Sequence, residues 1–131
     1  MFYCVRLPNP GSPRQTQHSS IKAHTRGVAG NHPKSHTGTG FSGRDSTPEA
    51  LAPLFDKAID GFGEVFRALS LTEIGSSTVQ SRALAGLANR TVLFCIPATT
   101  GACRTAWEGV LRDQLDSEHK PCNFVGVLRG H

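Results

Sequence analysis

The chain has 131 residues, of which 37% are hydrophobic, and carries a formal net charge of +4. This length allows one domain at most, and the absence of a run of about 18 apolar residues excludes a membrane-spanning segment. Residues 1–44 hold six Lys and Arg and no acid, whereas residues 45–131 hold eight Lys and Arg against ten carboxylates, a net charge of −2. The basic character therefore belongs to the first third of the chain.

The four cysteines have no CxxC spacing, and the initial "MFYCVRL" is too short for the apolar core of a signal peptide. We therefore expect free thiols in the reducing cytoplasm and no zinc site. No tightly bound cofactor is evident from the sequence.

Residues 1–37 are predicted to be a disordered segment because they are dominated by Pro, Gly, Ser, Thr, His and basic residues. Such a composition buries too little apolar surface to offset a backbone ordering cost of roughly 1–2 kcal/mol per residue. A nucleic-acid-binding tail is the first alternative, but the charges are widely spaced and no aromatic residues lie among them. Metal binding is the second alternative, but the histidine spacing matches no fixed ligand geometry. These histidines are His18, His24, His32 and His36.

The next segment, "STPEALAPLFDKA", predicts the start of a helix. Ser46 and Glu49 have the spacing of a capping box; alternatively, Thr47 is the N-cap and Pro48 the first helical residue. Pro53 limits this helix to a short or kinked piece.

Two further helices are predicted in "GFGEVFRALSL" and "SSTVQSRALAGLANR" from apolar residues at helical spacing. The apolar positions are Phe62, Phe66 and Leu69 in the first, and Val79, Leu84 and Leu87 in the second.

The run "TVLFCI", residues 91–96, predicts a strand buried on both faces of a parallel sheet. A helix over "ATTGACRTAWEGVLRDQL" is predicted to follow, so strand, turn and helix form half of an α/β unit. The tail "DSEHKPCNFVGVLRGH" is ambiguous, and the chain offers no convincing second strand.

Residues from about 37 to 124 resemble the MoaB/Mog family of molybdenum cofactor biosynthesis proteins, especially bacterial MoaB. The resemblance is carried by "TGTG…RDSTPEALAPLFDK", "GFGEVFRALS" and "GACRTAW". It implies an α/β fold in which helices sandwich a mostly parallel sheet, assembled as a trimer or as a hexamer of two trimers. We therefore predict a truncated three-layer fold, residues 38–131, that represents the C-terminal half of the family domain.

The resemblance also implies a cytoplasmic protein that binds molybdopterin and, in active members, adenylylates it with Mg-ATP. The terminal phosphate of molybdopterin attacks the α-phosphorus of ATP and releases pyrophosphate. Such chemistry depends mainly on positioning and on neutralising charge. The resemblance implies no nucleic-acid or membrane partner.

Carried over to this sequence, the family motif places Gly38, Thr39 and Gly40 in a loop that faces phosphate and pterin. Asp45 closes the motif and is the candidate catalytic residue and Mg²⁺ ligand. The alternative is that Asp45 is an exposed residue outside a helix N-terminus, stabilised by the helix dipole by roughly 0.3–1 kcal/mol.

A second group of candidate substrate-binding residues lies further along the chain. Ser81 and Arg82 face the ligand or, alternatively, form part of an ordinary helix surface. Pro97, Thr99 and Thr100 match the substrate-side loop that follows the strand in the family.

The sequence departs from the family pattern at three places. Thr37 replaces the first glycine of the usual Thr-Gly-Gly-Thr-Gly motif, which is unfavourable if that position requires a positive φ. Ala98 replaces a glycine, and Gly101 replaces a lysine that would face phosphate. "GVAGNHPKSH" stands where the family has a strand, and Pro33 cannot occupy a central strand.

Three hypotheses follow. The chain is a molybdopterin-binding protein or adenylyltransferase, or an inactive truncated or frame-shifted remnant, or an interaction fragment. In the third case "GFGEVFRALS" would dock on full-length family subunits.

Overall fold

The computed structural model describes residues 38–130 and, as backbone alone, residues 2–6. The strands are β1 (Phe2–Arg6), β2 (Lys57–Ala58), β3 (Leu84–Ala88) and β4 (Thr91–Cys95). The helices are α1 (Thr47–Leu51), α2 (Asp60–Ile74), α3 (Thr100–Ala106), α4 (Arg112–Gln114) and α5 (Phe124–Arg129). This mixture of helices and strands confirms the predicted α/β class.

The four strands form one sheet in the order β1-β4-β3-β2, and every described pairing is antiparallel. The strand predicted at residues 91–96 is confirmed as β4, but the parallel arrangement is wrong for the described strands. β3 and β4 form a hairpin whose register runs from Leu84 opposite Cys95 to Ala88 opposite Thr91. A two-residue turn joins them, and Asn89 adopts the φ of 56° that such turns favour.

The helix predicted over residues 76–90 is wrong. A 3₁₀ segment (Gly75–Gln80) is followed by the strand β3. Leu and Ala are strong helix formers, but here pairing with β4 overrides that local preference. The sequence analysis found no convincing second strand to pair with residues 91–96, and β3 is such a strand.

The first predicted helix is confirmed as α1, which passes into a 3₁₀ turn at Ala52–Leu54 that contains Pro53. The predicted capping box is wrong, because Ser46 makes no side-chain cap bond. Glu49 instead pairs with Arg82, which lies 33 residues further along the chain.

The core lies between the sheet and α2. Cross-strand pairing places Ala85 beside Phe94 on one face of the sheet, and both are buried. Phe62 of α2 packs against Phe94 in an edge-to-face contact, with the ring centres 5.0 Å apart. On the other face, Phe55 covers Gly86 so closely that a Cβ there would lie 2.2 Å from the ring.

The predicted helix after β4 is confirmed as three consecutive pieces: α3, a π-helical segment (Trp107–Leu111) and α4. The ambiguous tail forms α5, which is capped by the Asn123 side chain. None of the helices in the described ranges is long and apolar enough to cross a bilayer.

β1 lies within the segment predicted to be disordered. Residues 7–37, including the four histidines and Thr37, lie outside the described residues, so the predictions made for them stay predictions. The division into residues 1–37 and 38–131 likewise stays a prediction.

Candidate functional site

The glycine loop, residues 38–45, folds around its own aspartate. A Cβ on Gly38 would lie 1.8 Å from Asp45 Oδ1, and one on Gly40 would lie 2.9 Å from Oδ2. Neither glycine has a φ in the left-handed region. These glycines are therefore needed for space, since the carboxylate lies directly over their α-carbons.

Asp45 is held by Ser42, a residue that the sequence analysis did not single out. The Ser42 amide and hydroxyl both donate to Asp45 Oδ2, at 2.9 and 2.6 Å. These two hydrogen bonds, followed by the charges of Arg44 and Arg82, lower the pKa of Asp45 below 3.8. The carboxylate is therefore ionised at neutral pH, and Oδ1 carries none of the described hydrogen bonds.

Arg82 joins the glycine loop to the sheet. Its Nε donates to the carbonyl oxygens of Gly40 at 2.8 Å and Thr39 at 3.3 Å, and Nη2 donates to that of Asp45 at 2.6 Å. Nη1 pairs with Glu49, and the guanidinium carbon lies 5.1 Å from the centre of the Phe41 ring. A helix surface, the alternative considered for Arg82, is wrong because the residue lies between the 3₁₀ segment and β3.

Two buried threonines form the base of the loop. Thr39 is 6% exposed, so its side chain lies inside the molecule and only its backbone takes part in the loop network. The Thr47 amide donates to the Gly38 carbonyl oxygen at 3.3 Å. The Thr47 hydroxyl is buried without a hydrogen-bond partner in the described part of the chain.

Ser81 lies in a turn. Its amide donates to the Thr78 carbonyl oxygen at 2.9 Å, and its hydroxyl accepts from the Ala83 amide at 3.4 Å. The Ser81 and Ala83 carbonyl oxygens accept from Arg67 of α2. These contacts fix the backbone on both sides of Arg82.

The second loop, residues 97–100, leads from β4 into α3. Thr99 is the N-cap of α3, and its hydroxyl accepts from the Ala102 amide at 3.2 Å. Thr99 and Thr100 are exposed, whereas Pro97 is half-buried. The Cys103 thiol contacts the Pro97 carbonyl oxygen at 3.8 Å.

The hairpin places the two loops at the same end of the sheet. Because β3 and β4 are antiparallel and Leu84 pairs with Cys95, the residues just before β3 lie beside those just after β4. Arg82 precedes β3 by two positions, and Pro97 follows β4 by two. The strand register therefore brings Pro97, the first residue of the second loop, to the same end of the sheet as Arg82, which contacts the glycine loop directly.

Cys95, the last residue of β4, is fully buried at this end of the sheet. Burial raises the pKa of its thiol to about 12, so the thiol is neutral. Cys95 and Cys122 are free thiols in the part of the chain that the structure describes. No group of three potential metal ligands occurs within the described ranges.

The profile of the family described as "probable molybdopterin binding domain" matches residues 36–117, and the chain belongs to this family. Within the family the chain resembles molybdenum cofactor biosynthesis protein B. It is 60% identical to that protein of Escherichia coli K12 over 92 residues, which cover 70% of this chain and 54% of the relative. Over 79 residues it is 47% identical to the Bacillus subtilis protein, covering 60% of this chain and 46% of the relative.

Solved structures of related proteins are also similar to this chain. A crystal structure of molybdenum cofactor biosynthesis protein B matches with a TM-score of 0.65 and 40% identity, covering 72% of this chain and 56% of the other. The tungsten cofactor synthesizing protein MoaB from Pyrococcus furiosus matches with a TM-score of 0.51 and 45% identity, covering 56% of this chain and 48% of the other. The chain thus spans about half the length of the relatives it matches.

Proposed function

We propose that this chain binds molybdopterin at the end of the sheet that carries both the glycine loop and the second loop. The observation that carries the proposal is the ionised Asp45 carboxylate, held over Gly38 and Gly40 inside the region that matches the molybdopterin-binding family. Family membership supports the choice of ligand, and the loop geometry supports the choice of site.

In this proposal Asp45 supplies an oxygen ligand for the Mg²⁺ that accompanies ATP. Mg²⁺ in phosphoryl-transfer sites is commonly held by one or two carboxylates together with substrate phosphates. Asp45 fits this role because it is ionised and its Oδ1 carries none of the described hydrogen bonds. Backbone amides of the glycine loop would face the molybdopterin phosphate.

We further propose that the isolated chain binds molybdopterin without adenylylating it. Gly101 occupies the position where the family resemblance places a lysine, and it is exposed. Without that cation, the negative charge on the phosphates of two anionic substrates is less well neutralised. Cytoplasmic location and a trimeric or hexameric assembly are further parts of this proposal and rest on the resemblance.

The test uses the purified full chain and molybdopterin released anaerobically from a molybdoenzyme. The pterin retained after gel filtration is measured by the fluorescence of its oxidation product, with and without Mg²⁺. We expect retention by the wild type to increase with Mg²⁺, and this increase to be lost in Asp45→Asn. The matched control is Asp60→Asn, because Asp60 is exposed and makes no described side-chain contact.

Absence of retention by the wild type would refute the binding proposal. Addition of Mg-ATP gives a separate readout, namely the release of pyrophosphate. Release by the isolated chain would refute the proposal that it does not adenylylate its ligand.

Exposed apolar side chains favour a second candidate function, an interaction fragment that docks on full-length family subunits. Val65, inside the segment "GFGEVFRALS" predicted to dock, is 47% exposed, and Leu71, Ile74 and Val79, which follow that segment, are 54%, 56% and 75% exposed. The contact of Thr78 with the Arg67 carbonyl oxygen folds the 3₁₀ segment back against α2. Co-purification with a full-length subunit, and its loss in Leu71→Asp, would support this function; failure to co-purify would refute it.

A further inference from the structure

Arg82 uses all three guanidinium nitrogens within the protein. Nε and Nη2 donate to loop carbonyl oxygens, and Nη1 is paired with Glu49. The guanidinium group carries five N–H donors in a rigid plane. All three nitrogens are thus anchored to protein acceptors, and the Nε–Nη2 edge, one of the two edges that could bind a phosphate bidentately, is occupied by loop carbonyl oxygens.

The carbonyl oxygens that Arg82 binds come from both sides of the glycine loop. Thr39 and Gly40 lie at its beginning and Asp45 at its end. One side chain therefore sets the separation of the two arms. That separation determines where the Asp45 carboxylate lies relative to the α-carbons of Gly38 and Gly40.

Glu49 holds the remaining nitrogen of this clamp. It is an exposed residue of α1, and its pairing with Arg82 makes a third connection, from the sheet to the helix that follows the loop. Phe41, which is 70% exposed, stacks on the same guanidinium. The Arg82 side chain itself is only 22% exposed, which is consistent with a structural position between these groups.

We propose that Arg82, held by Glu49, is a positioning residue that sets the shape of the glycine loop for its ligand and does not itself contact the ligand. The ligand part of this inference rests on the proposed function. The clamp that Arg82 and Glu49 form on the glycine loop does not rest on the proposed function, and its effect can be measured in the free protein.

The experiment compares amide hydrogen exchange of residues 38–45 in the ligand-free full chain with the affinity for molybdopterin. Arg82→Lys keeps the charge but cannot reach the separate carbonyl oxygens with a single ammonium group. Glu49→Gln keeps the size and removes the charged partner. The control is Arg90→Lys at the turn of the hairpin, the opposite end of β3.

We expect Arg82→Lys to accelerate exchange in the glycine loop about tenfold or more, and Glu49→Gln to accelerate it to a smaller extent. Arg82→Lys should also weaken molybdopterin binding more than Glu49→Gln does. Arg90→Lys should change neither the loop exchange nor the binding. Exchange in β4 serves as the internal reference for global stability.

Weaker binding with unchanged loop exchange would overturn the proposal, because it would mean that Arg82 contacts the ligand directly. Unchanged exchange in Glu49→Gln would overturn the role of Glu49. If the wild type does not bind molybdopterin but the exchange differences appear, the proposed function fails and the clamp is supported.

Discussion

The glycine loop and the core around β4 are held together by different forces. The loop, most of which is exposed or half-buried, is joined by hydrogen bonds from Ser42 and Arg82 to carboxylate and carbonyl oxygens. The core consists of apolar side chains such as Phe94, which is 0% exposed. Changes in the core should therefore act on the free energy of unfolding, and changes in the loop should act on binding.

The largest expected effect comes from Phe94→Ala. Phe94 contacts the rings of Phe62 and Phe124 at 5.0 and 6.2 Å, so truncation leaves a cavity between the sheet and α2. We expect a loss of about 3–5 kcal/mol in the free energy of unfolding, measured by urea denaturation. Phe41→Ala, in the exposed loop, should cost less than about 1 kcal/mol. Equal losses in the two variants would contradict the comparison.

The core also determines the behaviour of the protein in alkali. Burial raises the pKa of Cys95 from 9.0 to about 12. Because the unfolded thiol ionises first, the stabilisation from the neutral buried thiol is complete below pH 9 and is lost as the pH rises towards 12. We expect the free energy of unfolding to fall over this range. Cys95→Ala should show a smaller fall, and an identical pH dependence in the two proteins would refute this assignment.

Gly38→Ala should affect the loop without a comparable effect on the core. The added Cβ would lie 1.8 Å from Asp45 Oδ1, so the carboxylate must move. We expect molybdopterin binding to fall about tenfold or more, while the free energy of unfolding changes by about 1–3 kcal/mol at most.

Gly43→Ala is the matched control for that substitution, since a Cβ at Gly43 meets no atom within 4 Å. It should leave binding near the wild-type value. Equal binding by Gly38→Ala and Gly43→Ala would show that the position of the Asp45 carboxylate does not matter for the ligand.

The two regions also differ in how far they can be predicted from sequence. α2 and β4 follow from local patterns, namely Phe62 and Phe66 at helical spacing and an unbroken run of apolar or β-branched residues at 91–96. β3 does not, because its Leu and Ala residues favour a helix and become a strand only by pairing with β4.

The glycine loop could be recognised from its sequence motif, but the residues that hold the loop in place could not. Arg82 and Gly40 are 42 residues apart, and such a contact leaves no periodic signal in the sequence. Asp45, Gly38 and Gly40 could be proposed as one group from the sequence. The roles of Ser42 and Glu49 follow only from the three-dimensional structure.

A smaller gain of affinity is expected for Gly101→Lys. A Cβ at this position meets no atom within 4 Å, so the side chain can be added without a clash. An added exposed cation near a phosphate is worth roughly 0.2–1 kcal/mol, which corresponds to about a one-and-a-half- to fivefold tighter binding of molybdopterin. Gly101→Gln is the uncharged control. The gain should shrink at high salt, and an equal gain in Gly101→Gln would exclude an electrostatic cause.

The smallest effect concerns the loop in acid. Hydrogen bonds from Ser42 lower the pKa of Asp45 below 3.8, and Arg82 lowers the pKa of Glu49 below 4.5. Groups with depressed pKa values stabilise the fold above their unfolded values, and this contribution is lost as the pH falls through the folded values. The glycine loop should therefore loosen only as the pH falls below the ordinary pKa values of 4.5 for Glu49 and 3.8 for Asp45, far from the alkaline range in which Cys95 acts.

The measurement is an NMR titration of the Ser42 amide, which donates to Asp45. Its chemical shift should follow a midpoint below 3.8 in the wild type, and Asp45→Asn should remove the transition. Glu49→Gln should leave this midpoint nearly unchanged, because Ser42 rather than Glu49 is the main partner of Asp45. A midpoint above 3.8 would mean that the Ser42 hydrogen bonds do not stabilise the ionised carboxylate.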